Sequence, residues 1–119
     1  MAYVDGFVLP MPKKNLAAYR RIARRAAKLW REHGALEVRE CAGEDLTARG
    51  CLPFPRLMKV RRGETVVFSW IAFRSRAHRD RVNARVLKDP RTAKMMGHDA
   101  MPFDPRRMAY GGFQTIVAL

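Results

Sequence analysis

The stretch TVVFSWIAF (65–73) decides how this chain folds, because both of its alternating sets of side chains are apolar. In an extended backbone Val66, Phe68, Trp70 and Ala72 point to one side, and Val67, Ile71 and Phe73 to the other, with Ser69 alone among them. A strand with one wet face alternates apolar with polar. A strand apolar on both faces needs cover on both.

The flanking sequence supplies one of those covers. Ser75 is placed to cap a helix that runs to about residue 88, where Asp89-Pro90 breaks it. Before the strand, RRGE makes a turn through Gly63, and RLMKV (56–60) reads as the other arm of a hairpin. AGEDLTARGCLPFP (42–55) is a turn-rich loop long enough to be suspected of function. ALEVREC (35–41) alternates as a strand does. From about 13 to 33 the period is helical, with Asn15 as N-cap and Gly34 at the C-terminal left-handed position. AYVDGFVLP (2–10) is a strand ended by Pro10 and Pro12. RTAKMM (91–96) is a short helical turn, the residues from His98 to Arg107 form a loop, and 108–119 is a last strand with a bulge at Gly111-Gly112. The order predicts an α+β fold: a single domain over 1–119, a ferredoxin-like βαββαβ sheet with two helices on one face. Two helices cover one face of strand 65–73. A second copy of the same sheet is the simplest cover for the other, which predicts a homodimer.

The chain is 119 residues long and 48% hydrophobic, enough for one packed core without staples. Two cysteines, Cys41 and Cys51, make neither a disulfide framework nor a zinc site. The three histidines, His33, His78 and His98, share no ligand spacing, so neither a metal nor a cofactor is expected. No signal-peptide pattern opens the chain and no apolar run is long enough for a membrane span; a cytoplasmic protein that avoids the membrane is expected. Lys and Arg total 24 against 11 Asp and Glu, a formal charge of +13. On the first helix Arg20, Arg21, Arg24, Arg25, Lys28 and Arg31 share an arc of about 140°. They read either as a solvated face or as a surface for non-specific phosphate contact, which added salt would weaken.

Four stretches, YVDGFVLPMPKKNL, ETVVFSWI, SRAHRDRVNARVLKDPR and MPFDPRRMAYGGF, resemble the YbaA-like family of small bacterial proteins, domain of unknown function 1428. The resemblance implies a dimeric α+β barrel, two ferredoxin-like sheets face to face. That fold also carries cofactor-independent monooxygenases, haem-degrading enzymes and ligand sensors, so it does not choose a function.

Two places gather candidate site residues. On strand 2–10, Tyr3, Asp5, Phe7 and Leu9 share a face, and the small set Val4, Gly6 and Val8 suits close packing under the helices. Asp5 is then expected between two aromatics toward the partner sheet, needing a donor, a cation or a raised pKa; the alternative is a rim carboxylate paired with a local arginine. On the second helix Val82, Val86 and Leu87 define the inward stripe, with Arg79 and Asn83 inside it and His78 on its flank. An inward arginine beside an asparagine suits an oxyanion, or else it pairs with Asp5, Asp80 or a carboxylate of the partner.

The leading expectation is a homodimer that binds a small organic molecule, anionic or aromatic, in a pocket between sheet and helices. Tyr3, Phe7, Trp70 and Tyr110 would line that pocket and Trp30 would close it. The residues do not choose between binding and turnover. The alternatives are a non-specific nucleic-acid module acting through its arginines and a purely structural or regulatory dimer.

Overall fold

A computed structural model describes residues 2–95 and 101–119, so His98 and the end of the expected 91–96 turn lie outside the described residues. The elements run β1 (Tyr3–Pro12), α1 (Leu16–Glu32), β2 (Glu37–Ala42), α2 (Phe54–Leu57), β3 (Glu64–Phe73), α3 (Arg76–Lys88), α4 (Pro90–Met95) and β4 (Ala109–Gln114). The strands form one four-stranded sheet in the order β2-β3-β1-β4, each neighbour antiparallel to the next. The chain is thus a mixed α+β protein in which α1 joins β1 to β2 past the intervening β3.

Register decides which side chains lie under the helices. Tyr3 pairs with Phe73, Asp5 with Ile71, Phe7 with Ser69 and Leu9 with Val67, so all eight share one face of the sheet. Leu29 of α1 and Val82 and Val86 of α3 bury against Ile71 and Phe73 on that face. Each large apolar side chain so buried contributes about 1.5–3 kcal/mol. This corrects the expectation for β1: the set containing Asp5 faces the helices, and the small set Val4, Gly6 and Val8 faces away. Bulky residues fill the wide space beneath a helix layer.

The opposite face has little cover. Val4 and Val8, Phe68 and Trp70, and Ala109 and Phe113 line a shallow apolar depression there. Phe68 is 43% exposed and Phe113 61%. Phe54 of α2 approaches one end of the depression, its ring centroid 6.3 Å from that of Phe68.

Local sequence accounts for the element ends. Ser75 Oγ accepts a hydrogen bond from His78 N–H at 3.1 Å, as expected of an N-cap. Gly34 has φ +116°, with Gly34 N–H donating to Arg31 O and Ala35 N–H to Trp30 O, the double bond pattern that closes a helix at a left-handed residue. Asn15 does not cap α1 through its side chain; its Nδ2 donates instead to Pro102 O at 2.8 Å, tying down the segment before β4.

Three further expectations change. Residues 56–60 are not a strand, because β1 and β2 occupy both edges of β3; with Pro53 and Pro55 at its start the chain makes one helical turn, α2, and leaves it through Lys59 at φ 52°. β1 does not stop at Pro10 but pairs through Pro12. Even-numbered residues of β1 bond toward β4, as Thr115 N–H to Ala2 O shows, and β4 reaches only Val8, so both prolines lack their donor where no acceptor waits. The last strand ends at Gln114 and has no bulge: Gly111 and Gly112 pair in unbroken register with Gly6 and Asp5.

Arg107, before β4, grips the start of β3. Its Nη1 donates to Glu64 Oε2 at 2.7 Å and its Nη2 to Oε1 at 2.9 Å. The Arg107 hydrogen bonds hold the Glu64 carboxyl below its ordinary pKa. A lowered folded pKa gives stability that is present at neutral pH and lost as pH falls through that pKa. Glu64→Gln is therefore expected to be less stable than wild type in urea at pH 7, and the difference should shrink toward pH 3. A difference that stays constant with pH would exclude an ionic grip.

Candidate functional site

The inward phase of α3 brings Arg79 onto the sheet. Its Nη1 donates to Asp5 Oδ1 at 3.2 Å and to Tyr110 Oη at 2.7 Å, and its Nη2 to Tyr3 Oη at 3.4 Å. Its Cζ stands 5.0 Å from the Tyr3 ring centre. The Asp5 side chain is 2% exposed and that of Arg79 14%, so this is a buried pair. Arg79 Nε lies 2.9 Å from Asp80 Oδ1 but misaligned for a hydrogen bond, so the exposed Asp80 contributes charge alone. Burial raises the Asp5 pKa, and Arg79, Asn83 and Tyr110 oppose that rise. One turn along, Asn83 Oδ1 accepts from Trp30 Nε1 at 3.1 Å, which joins α1 to the cluster. Tyr3, Asp5, Phe7, Trp30, Arg79, Asn83 and Tyr110 are therefore brought together, the Phe7 and Tyr110 rings 5.0 Å apart.

Two other candidates lie elsewhere. Trp70 pairs with Gly6 and faces away from the helices, so it cannot line a pocket beneath them. His78 is 3% exposed, and its Nδ1 accepts from Arg74 N–H at 3.0 Å. Burial and the nearby Arg74 and Arg81 lower its pKa, which makes it a neutral structural residue of the α3 start. Its burial reflects a small rotation of the helix: Leu87, expected inside, is 78% exposed.

The Arg79 cluster is filled by its own side chains. The open space between helices and sheet lies beside it, a groove of about 530 Å³ between α1 and β2. Small residues make it: Ala23 and Ala27 on α1 and Ala42 on β2 stand where larger ones would close the gap, over a floor that includes Val38 and Val67. At its polar end Tyr19 Oη donates to Glu40 Oε1 at 2.6 Å. Burial raises the pKa of both groups, with the buried Ser69 hydroxyl beside them. Arg20 and Arg24 stand on the rim. Sequence reading passed over Tyr19 and Glu40. The signal was present: alternation in 35–41 places Glu40 on the same face as Val38, and Tyr19 carries the polar atom of an apolar helix stripe.

The six basic residues Arg20, Arg21, Arg24, Arg25, Lys28 and Arg31 are all exposed along α1. Among the described residues no group of three or more His, Cys, Asp or Glu is arranged for a metal. No described helix is long and apolar enough to cross a membrane.

The Arg79–Asp5 pair yields a stability prediction. Arg79→Met leaves a buried carboxylate unpaired and should lower unfolding stability by about 3 kcal/mol. Adding Asp5→Asn should recover part of that loss, since the uncompensated charge is then gone. Urea titration of the two single variants and the double variant measures the coupling. Additive effects would mean that the pair stabilises nothing.

A family model described as "Protein of unknown function (DUF1428)" matches residues 2–105. "Uncharacterized protein YbaA" of Escherichia coli (strain K12) is 44% identical over 117 residues, 98% of this chain and 98% of that protein. The protein of the same description from Shigella flexneri matches to the same extent. Among solved structures, the de novo designed protein Foldit4 aligns with a TM-score of 0.48 and 12% identity, over 97% of this chain and 99% of its own. Nothing further rests on that last likeness. Matched by the family model over most of its length, and almost end to end by relatives that share 44% of its residues, the chain belongs to the DUF1428 family.

Proposed function

We propose that the protein is a homodimer of ferredoxin-like subunits, closed sheet to sheet as an α+β barrel, that binds a small organic molecule in the groove between α1 and the sheet. The observation that carries the binding role is the groove itself: about 530 Å³, apolar along its floor and polar at the Tyr19–Glu40 pair. That volume and lining fall in the range typical of small-molecule sites. The site lies beside the Arg79 cluster, whose hydrogen bonds hold α3 to β1 and β4. A thermal-shift panel of small acids and aromatics tests the reading. A ligand at ten times its Kd adds about 1.4 kcal/mol, a rise in Tm of about 4–8 °C. Ala27→Phe, which fills the groove, should abolish the shift. Shifts that survive the filling, or a panel that moves nothing, would overturn the assignment.

The dimer has separate support. The strand order β2-β3-β1-β4 with two longer helices on one face supports the ferredoxin-like reading. Its other face presents Val4, Val8, Phe68, Trp70 and Phe113 together, a contiguous apolar patch of the kind that marks an interface. An identical face is self-complementary about a two-fold axis. Ile71, 8% exposed, belongs to the helix-side core, so the interface is probed at Phe68 and Phe113. Light scattering at micromolar concentration should give about twice 13.7 kDa for wild type and about 13.7 kDa for Phe68→Lys/Phe113→Lys, with the circular dichroism of both alike. A monomeric wild type would remove the barrel.

A further inference from the structure

The positive charge of the chain is not spread evenly. Residues 13–32, the turn before α1 and α1 itself, hold eight of the 24 basic residues and one of the 11 acidic ones. That one, Glu32, ends the helix and is taken by Arg91 at 2.8 Å. Elsewhere the protein pairs arginines even near its surface: Arg39 with Glu37, Arg91 with Asp89, Arg106 with Asp104. On α1, Arg20, Arg21, Arg24, Arg25 and Lys28 are exposed and make no ion pair with a described residue. They also stand beside one another, Arg20 with Arg24, Arg21 with Arg25 and Arg24 with Lys28 at four-residue spacing, where like charges repel. A solvated helix face ordinarily mixes both signs along such rows. An arginine-rich composition supplies the arginines but does not remove the carboxylates between them. A polyanion relieves a row of cations kept clear of counter-charge.

We infer that α1 carries a docking surface for duplex DNA, a role separate from the groove. Three features select this partner over other polyanions. The apolar stripe of α1 is buried in the core, with Leu29 2% exposed against Ile71 and Phe73, so the helix cannot lay that stripe into a lipid surface. No aromatic stands on the basic arc. Tyr19 and Trp30 belong to the inner side and donate to Glu40 and Asn83, so the unpaired bases of a single strand find no stacking platform. The remaining chemistry is phosphate on a stiff duplex, and groove width chooses between its forms. A helix about 10–12 Å across enters the DNA major groove, about 12 Å wide, but not the deep and narrow one of RNA.

The arc fits that placement. From Arg20 to Arg31 it runs about 16 Å along the helix axis. Arg20 and Arg24 fall on one flank, Arg21 and Arg25 on the other, and Lys28 between them, which lets the flanks reach the phosphates of the two strands. The arc holds no Asn or Gln to read adenine, so contacts to the backbone dominate and sequence matters little. α1 covers the helix side of the sheet, away from Phe68 and Phe113, so pairing of two sheets by their apolar faces leaves this surface free.

Fluorescence anisotropy of a labelled duplex of about 24 base pairs, titrated with the full chain from about 50 to 300 mM NaCl, tests the assignment. Log affinity should fall against log salt with a slope of about −4.5, as expected for five phosphate contacts. A duplex of unrelated sequence should bind within about twofold. Arg21→Gln/Arg25→Gln, two residues outside the groove lining, should bring the slope to about −2.7 and weaken binding at low salt at least about tenfold. Arg21→Lys/Arg25→Lys should keep the slope, because a point charge displaces the same counterion. Arg61→Gln/Arg62→Gln removes equal charge from the exposed turn before β3 and should leave the slope unchanged, with circular dichroism alike in every variant. Equal losses in the two glutamine variants would assign binding to net charge and overturn the docking surface, as would a duplex left unbound at low salt. An RNA duplex, a DNA single strand or phosphatidylserine vesicles bound as tightly as the DNA duplex would overturn the choice of partner.

Discussion

Ten consecutive residue pairs join β1 to β3, from Tyr3↔Phe73 to Pro12↔Glu64, and a slip of one residue along that ladder would turn every side chain of the central strands over. Everything functional in the molecule depends on this register. It sends Asp5, Ser69, Ile71 and Phe73 under the helices and leaves Phe68 and Trp70 on the far side. It also sets, through β4, which residue lies over which: Gly112 pairs with Asp5, and a β-carbon there would stand within 2.9 Å of the Tyr3 ring. Only glycine leaves room for the Tyr3 phenol to reach Arg79.

The same register puts two carboxyls on the helix side of the sheet, Asp5 buried and Glu40 exposed, and gives them different partners. Asp5 meets a guanidinium held by two tyrosines, a closed arrangement with each member locked by the next. Glu40, nearer the sheet edge, meets a phenol and an open groove. Burial raises both pKa values, yet one environment is complete and the other has space left in it. That contrast separates the structural ion pair from the site proposed for a ligand.

How far the sequence could be read depended on how many packing solutions a segment allowed. TVVFSWIAF allowed one, since both sets were apolar, and its two-sided character appears as a helix-side core and a partly covered apolar face on which Phe68 is exposed. The α1 period, with its basic arc, was equally plain. β1 was ambiguous because its two sets differ in size more than in polarity, and size was assigned to the wrong face. On α3, Val82 and Val86 fixed the inward stripe, but whether it leaned toward His78 or Leu87 turned on a buried histidine accepting a backbone N–H, a bond between residues Arg74 and His78 that hydropathy does not encode. RLMKV had the composition of a strand; it lost that state because both edges of β3 were taken by strands distant in sequence. The groove went unread because it is made by small residues, and an alanine in a helix signals propensity before it signals space.

Beyond Val8, the side of β1 that faces away from β3 has no strand partner among the described residues; Pro10 and Pro12 sit along it, and Phe103 and Met108 pack against Leu9 and Met11 nearby. An approaching strand would find carbonyls there but no N–H at either proline, and a ladder needs both. Neither an exchanged segment nor a strand from another molecule can lengthen the sheet from this side. The two prolines therefore protect this edge against unwanted polymerisation.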